Sequence, residues 1–242
     1  MSTKVATISS PTLLDKLLEF WNKYHRYIIL VTLVIFVIVT TYKISFNNIV
    51  SNHLKLLNLN YKHMKPKSLD LCSQQLKKHR VCEFYVASSY NNIKIDIHST
   101  LEILKKTITY GARYLELDIM NMTLETETIP VVSFGVNKGE WKYTESYIKI
   151  DDAFKMIADI SFSPEYIDNF SDPLFLFLNI NVNENEQTLD KIHDSLRRVF
   201  GYRLLGKMYH HQKMNIALES MCNFMGKVVI MAQSSFKGYK IN

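Results

Sequence analysis

Three cysteines, Cys72, Cys82 and Cys222, are all that the chain carries. An odd, sparse set builds no disulfide framework, and no spacing among them resembles a zinc site. They read as free or buried thiols. Glycine and proline are scarce, seven and five in 242 residues. That excludes collagen-like and linker-like chains and favours regular elements. No long run of one charge sign occurs. The 29 basic and 23 acidic residues leave a formal net charge of +6. This balance permits contact with anionic lipid or nucleic acid and demonstrates neither; no nucleic-acid partner is expected. No internal repeat is visible. Apolar residues make up 47% and charged residues 21%, so a packed core can form and global disorder is excluded. The length suits one large domain or two small ones.

One segment departs from soluble composition. Between Arg26 and Lys43 the chain reads YIILVTLVIFVIVTTY, with no charge. Extended by Ile44 and Phe46, it offers roughly 17–20 residues, near the lower end of what crosses a bilayer core. Thr hydroxyls can bond back to helix carbonyls, so they are tolerable in lipid. Trp21, Tyr24 and Tyr27 flank one end and Tyr42 the other, as interfacial aromatics do. A cleaved signal peptide fits poorly: the run starts after 26 residues, and TTYKISF offers no cleavage site. The segment therefore reads as a single-pass membrane anchor. Lys16, Lys23 and Arg26 against Lys43 and Lys55 favour a cytoplasmic N-terminus by one charge. Leu13, Leu14, Leu17, Leu18 and Trp21 recur at helical spacing, as an interfacial helix or the start of one longer helix. The expected organisation is an N-terminal segment over 1–26, a transmembrane helix over 27–46, a basic stalk with some helix over 47–80, and an α/β domain over 81–242. The stalk lysines suit either anionic head groups or solvent.

From Val81 strand-like and helix-like patterns alternate. Cys82–Ser88 reads as a strand. Ser99 with Glu102 has the spacing of a capping box, before a helix that turns Leu101, Leu104 and Ile108 inward and ends at Gly111. ARYLELDIM is a second strand and Ile129–Phe134 a third. Asp151 or Asp152 caps a helix through Phe154, Ile157 and Ala158. PLFLFLNI, opened by Pro173, is a near-continuous apolar run, as in a strand covered on both faces. Thr188–Phe200 is a helix stopped by Gly201, with Leu189, Ile192, Leu196 and Val199 inward. Gly226 precedes a fifth strand, KVVIM. Such alternation implies an α/β sheet or barrel.

In these folds chemistry sits at the C-terminal ends of strands. Glu116 and Asp118 alternate and so share one face of their strand. Paired carboxylates on one face repel unless paired or metal-bound. Asn91 after the first strand, and Asn179, Asn181 and Asn183 on the fourth, would complete an all-oxygen cluster suited to a hard cation such as calcium. The same residues also suit polar strand ends facing a solvated barrel mouth.

The ordered set resembles the X region of eukaryotic-type phosphoinositide-specific phospholipase C. Ser88-Ser89-Tyr90-Asn91-Asn92-Ile93 stands where that family has S-S-H-N-T-Y. Gly111-Ala112-Arg113-Tyr114-Leu115-Glu116-Leu117-Asp118 stands for G-C-R-C-V-E-L-D, and Pro130-Val131-Val132-Ser133-Phe134-Gly135 for P-V-I-Y-H-G. Pro173–Ile180 matches P-V-I-L-S-L-E-N. Val199–Leu204 matches I-F-G-D-x-L, and Gly226–Gln233 matches G-K-I-L-I-K-G-K. The series is collinear over about residues 81–236. It implies a PLC-like phosphodiesterase domain of TIM-type (β/α) barrel architecture, behind the transmembrane helix.

The departures carry as much information. The two histidines that the family uses for acid–base chemistry are Tyr90 and Phe134 here. Tyr90 stays protonated near neutrality, and Phe134 has no proton to give. Loss of one such group costs typically about 10²–10⁴-fold in rate. The family's calcium ligands persist as Asn91, Glu116 and Asp118, but the last position is Asn179, so Ca2+ binding is expected to be weak or absent. The two lysines that grip inositol phosphates correspond to Met231 and Gln233. His98 follows the first strand closely enough to be considered as a replacement imidazole; His193, His210 and His211 read as surface residues. Only about 160 residues follow the stalk, against roughly 250 for a complete barrel. An incomplete barrel is therefore expected, covered by local helices or completed by a partner chain or a second copy. Two functions stay open. One is a membrane-anchored, inactive domain that binds lipid or protein; the other is an active metal-dependent phosphoric diester hydrolase of altered mechanism. Lysine outnumbers arginine and Asn is abundant, which suits an AT-rich genome and a viral or host internal membrane.

Overall fold

The computed structural model describes residues 13–61, 66, 68–69, 78–89, 94–95, 98–124, 127–133, 136–138, 141–143, 147–182, 186–209 and 214–234. The chain divides into two compact units, 1–52 and 53–242. The first consists of most of α1 (Leu13–Tyr61), a single helix. The leucines before the apolar run are thus the start of one longer helix, and the helix continues into the segment expected as stalk. Among the described residues it is the one helix long and apolar enough to cross a membrane. Its threonines are satisfied internally: Thr32 Oγ1 donates to the Ile28 carbonyl, Thr40 to Phe36 and Thr41 to Val37, each at 2.8 Å.

The second unit is a mixed α/β fold around one sheet. In chain order its elements are β1 (Ser88–Ser89), β2 (Lys94–Ile95), β3 (His98–Ser99), α2 (Leu101–Thr109), β4 (Tyr114–Leu124) and β5 (Glu127–Val132). Then come β6 (Val136–Lys138), β7 (Trp141–Tyr143), β8 (Ile148–Lys149), α3 (Ile150–Ser161), β9 (Leu174–Asn181), α4 (Glu186–Phe200) and β10 (Val228–Ser234). The main sheet runs β10-β9-β4-β5-β8, with β1 also paired to β4. β1, β4, β9 and β10 are parallel. Short antiparallel hairpins β2–β3 and β6–β7 stand apart.

The sheet faces differ because residue parity differs. Leu115, Leu117 and Ile119 of β4, and Leu174, Leu176, Leu178 and Ile180 of β9, join Val228 in the main core. All three helices of this unit lie against that face. α2 buries Leu104 and Ile108, α3 buries Ala153, Phe154 and Ile157, and α4 buries Leu189 and Ile192. On the opposite face a smaller cluster of Phe175, Phe224 and Val229, with Tyr114 and Met231 packed on it, covers the beginnings of the strands. Side chains of neighbouring rows on this face remain half-buried towards the strand ends, Glu116, Asp118 and Asn179 among them.

Four sequence expectations change. The third strand is not part of the parallel series: β5 pairs antiparallel with β4, Ile119 opposite Val132. Only residues 125 and 126 separate the two strands, and a parallel return needs a crossover of roughly a dozen residues or more. The first strand shrinks to Ser88–Ser89, because Val81–Glu83 forms a 3-10 turn. The Val81 N–H bonds to the Glu219 carbonyl at 2.9 Å instead, and Val81 and Val86 pack on the smaller cluster. The cap of α2 is Thr100, whose Oγ1 accepts the Ile103 N–H at 3.3 Å, one residue after Ser99. α3 begins at Ile150, with Asp151 and Asp152 in its first turn instead of at its cap.

Gly111 and Gly201 end α2 and α4 at φ +94° and +47°, as left-handed caps do. Gly111 is doubly constrained, since a Cβ there would lie 2.5 Å from the Pro66 Cβ, whereas a Cβ on Gly201 would meet nothing within 4 Å. Gly111→Ala is therefore expected to lower stability by roughly 1–3 kcal/mol and Gly201→Ala by less. Denaturant unfolding of the two variants side by side checks the order.

Candidate functional site

Register places the site. In β4 and β9, Glu116 lies opposite Phe177 and Asp118 opposite Asn179. In β9 and β10, Phe177 lies opposite Met231 and Asn179 opposite Gln233. Partners in a ladder share a face. Two rows result, Glu116–Phe177–Met231 and Asp118–Asn179–Gln233, on the face turned away from the three helices. Five of the residues predicted from sequence are thus brought together. Tyr90, Asn91 and Phe134 lie outside the described residues, as do Asn183, His210 and His211. β3 pairs His98 with Ile95 through the backbone. His193 sits exposed on α4, the helix layer on the other side of the sheet.

Within the rows, Asn179 Nδ2 donates to Asp118 Oδ1 at 2.8 Å. The Ser133 N–H donates to the Asp118 backbone carbonyl at 3.1 Å, which holds the end of β5 beside the same residue. The Glu116 carboxyl titrates above its ordinary range, first because burial disfavours the charged form and then because Asp118 is close. Burial, with Glu116 adding to it, also raises the Tyr114 phenol. Met231 packs on the Phe175–Phe224–Val229 cluster, and Gln233 is exposed. Neither offers a cation to a phosphate.

A hard divalent cation takes roughly six to eight oxygen ligands. Here two carboxylates face the site, and one Asp118 oxygen is engaged by an amide N–H. No group of three or more His, Cys, Asp or Glu converges among the described residues. The described donors alone fall short of that number, and Asn91, the remaining candidate, lies outside the described residues. What they do is hold two acids side by side, one paired with a neutral amide and the other inclined to keep its proton.

Sequence reasoning missed a second polar group at the opposite ends of the strands. Arg113, just before β4, is 5% exposed. Its Nη1 donates to the Ser161 carbonyl at 2.9 Å, and its Nη2 to the backbone and side-chain oxygens of Asn169. Asp172, just before β9, accepts the Leu69 N–H at 3.0 Å and the Ser68 hydroxyl at 3.1 Å. Pro173 after Asp172, and Gly111 before Arg113, were the available signals, both reading as strand-entry turns.

Neither a family model nor a curated protein matches the chain. Among solved structures it is similar to S. officinalis PLC21, with TM-score 0.48 and 21% identity over 67% of this chain and 19% of that one. It is similar to L. pealei PLC21, with TM-score 0.47 and 20% identity over 67% and 20% of the two chains. A calcium-dependent phosphoinositol-specific phospholipase C from Pseudomonas sp. gives TM-score 0.46 and 13% identity over 67% and 60%. The chain thus spans about a fifth of the length of the first two.

The raised Glu116 pKa makes stability depend on pH. The folded chain holds that proton more tightly than the unfolded chain, so this group's contribution to stability is greatest below the unfolded value and falls as pH rises through the folded one. Glu116→Gln is expected to raise the melting temperature at neutral pH and to leave it unchanged near about pH 4. Thermal unfolding across that range, wild type against variant, is the check.

Proposed function

We propose that the chain is a membrane-anchored phospholipase C X-like domain that has lost phosphodiester hydrolysis and acts by binding or assembly. The observation that carries this reading is in the sequence. Tyr90 and Phe134 stand where the resembled family has its two imidazoles, and without a group titrating near neutrality the ester oxygen has no proton donor. The Asn179–Asp118 hydrogen bond supports it, because it ties up a carboxylate oxygen that a cation would need. Calcium binding is accordingly weak or absent. Residues 27–46, inside the exposed apolar helix α1, cross the bilayer once, in a viral or host internal membrane.

The parallel strands β1, β4, β9 and β10 form an incomplete (β/α) barrel in this reading. Among the described residues the outer edge of β10 carries only the Leu204–Val228 bridge. An open edge with unpaired backbone groups is a template for further pairing, so a partner chain or a second copy covers it. One observation favours a different reading. A carboxyl whose pKa is raised by burial, as at Glu116, is the kind of group that serves as a general acid, and an active phosphodiesterase of altered mechanism would use it.

The full chain in lipid nanodiscs, offered phosphatidylinositol with millimolar calcium, separates the two. The expected result is no turnover above empty nanodiscs; turnover that Glu116→Gln abolishes would establish the second reading. Calorimetric titration of calcium into the same sample is expected to give no saturable heat, and a saturable isotherm would restore the metal site.

A further inference from the structure

Helix α1 has 49 residues, about 73 Å at a rise of 1.5 Å per residue. A span over 27–46 takes only about 30 Å of that length. Two stretches of the helix therefore stand outside the bilayer core, and each carries an apolar stripe. Before the span it is Leu14, Leu17, Trp21 and Tyr24; after the span it is Ile49, Asn52, Leu56 and Leu59. All eight residues are exposed. Lipid does not reach the outermost ones. Leu14 and Leu17, and equally Leu56 and Leu59, lie about 15–20 Å beyond the ends of the span, past a head-group layer of about 5–8 Å. Nor does the second unit use Leu56 and Leu59. There Leu54 and Leu57 are half-buried, the Tyr110 hydroxyl donates to Asn58 Oδ1, and the Tyr61 and Tyr110 rings meet with centroids 5.7 Å apart.

The two stripes are in phase. Each residue of the first has its counterpart in the second five heptads later, at the a and d positions of one seven-residue repeat. Ile28, Val31, Ile35, Ile38, Tyr42 and Ser45 continue that repeat between them. Inside the span every side of the helix is apolar, as lipid tails are, so the outer stripes carry the argument. A straight α-helix drifts by about 20° per heptad against such a repeat, and the stripes come into line only when helices wind round one another left-handedly. The occupant is therefore another helix that follows α1 over its whole length. Copies of one chain cross a membrane in the same direction, so a second copy supplies that helix, parallel and in register. The charges are placed to allow it. Lys16, Glu19, Lys23, Arg26 and Lys43 all fall on the b, c and f positions, away from the seam. Lys55 flanks the seam at g, and the position it meets across a parallel pair is Asn60, which is neutral. Asn52 is the one amide in the outer stripes. An amide is donor and acceptor at once, so it can be satisfied by its own copy.

We propose that α1 pairs with α1 of a second copy as a parallel, left-handed coiled coil along this seam. Its parallel orientation rests on the membrane-anchored reading, and nothing in it rests on the loss of hydrolysis.

The test uses the full chain in phosphatidylcholine liposomes, with single cysteines placed in a background whose Cys72, Cys82 and Cys222 are replaced by serine. A disulfide needs Cα atoms within about 7 Å. The seam provides that, whereas outward positions on helices with axes about 8–10 Å apart do not. On mild oxidation, Leu17→Cys and Leu59→Cys are expected to give linked dimer at about ten times the yield of Glu19→Cys and Ser51→Cys. Equal yields, or a larger yield at Ser51→Cys, would overturn the proposal. A second measurement needs no substitution: unaltered chains are labelled at the N-terminal amine with donor or acceptor dye and mixed in the same liposomes. Energy transfer is expected to persist as lipid is added in excess; transfer that falls to the level of random proximity overturns the pairing. Chains that alkaline carbonate extracts from the liposomes would refute the anchor and the proposal together, while chains that stay in the bilayer as monomers would refute the seam alone.

Discussion

The parallel register of β4 against β9 is the constraint on which the rest of this structure depends. Glu116 faces Phe177 and Asp118 faces Asn179. A slip of one residue would turn Leu115, Leu117, Leu176 and Leu178 out of the helix-covered core and push both carboxylates into it. Each of those leucines is almost wholly buried, at about 1.5–3 kcal/mol apiece relative to exposure. The register is therefore set by hydrocarbon on one face. The polar arrangement on the other face follows from it and contributes little to choosing it.

The helices repeat the same asymmetry. α2, α3 and α4 all bury their apolar stripes against one face, and α3 is tied to α4 by the Arg198–Asp151 ion pair at 2.5 Å with Ser195 donating to the same carboxylate. Against the opposing effect of burial, the Ser195 hydroxyl and then Arg198 hold the Asp151 carboxyl below its ordinary range. Among the described residues nothing comparable covers the second face beyond its aromatic cluster at the strand entries. Function in such an arrangement has to come from the less covered face, and it divides into two ends of unlike chemistry: acids at the strand exits and a buried cation at the entries.

How far the sequence disclosed this depends on the strength of the local signal. β4 and β9 were legible because long apolar runs with turn residues before them have few alternatives, and Gly111 and Gly201 were legible because left-handed caps favour glycine. That Glu116 and Asp118 share a face followed from alternation; Asn179 came from the strand-end rule and the motif resemblance. The short first strand was not legible. Its Val81 and Val86 fit a strand pattern, but they pack on a tertiary cluster with Leu205 and Ile216, which local propensity does not encode. The antiparallel return of β5 could have been read from the two-residue link, had loop length been weighed against the strand–helix alternation. Arg113 was concealed because a single arginine before a strand ordinarily reads as a solvated residue; its burial is decided by Ser161 and Asn169, both distant in sequence.

Asn179 shows how two carboxylates are accommodated on one face of the sheet. Adjacent strands lie about 4.8 Å apart, so a third acid directly opposite Asp118 would place like charges in contact, and only a cation could hold them. An amide in that position reverses the sign of the interaction. It donates to Asp118 at 2.8 Å, and Glu116, pushed up first by burial and then by Asp118, retains its proton more strongly. The rows are then self-sufficient without a bound ion.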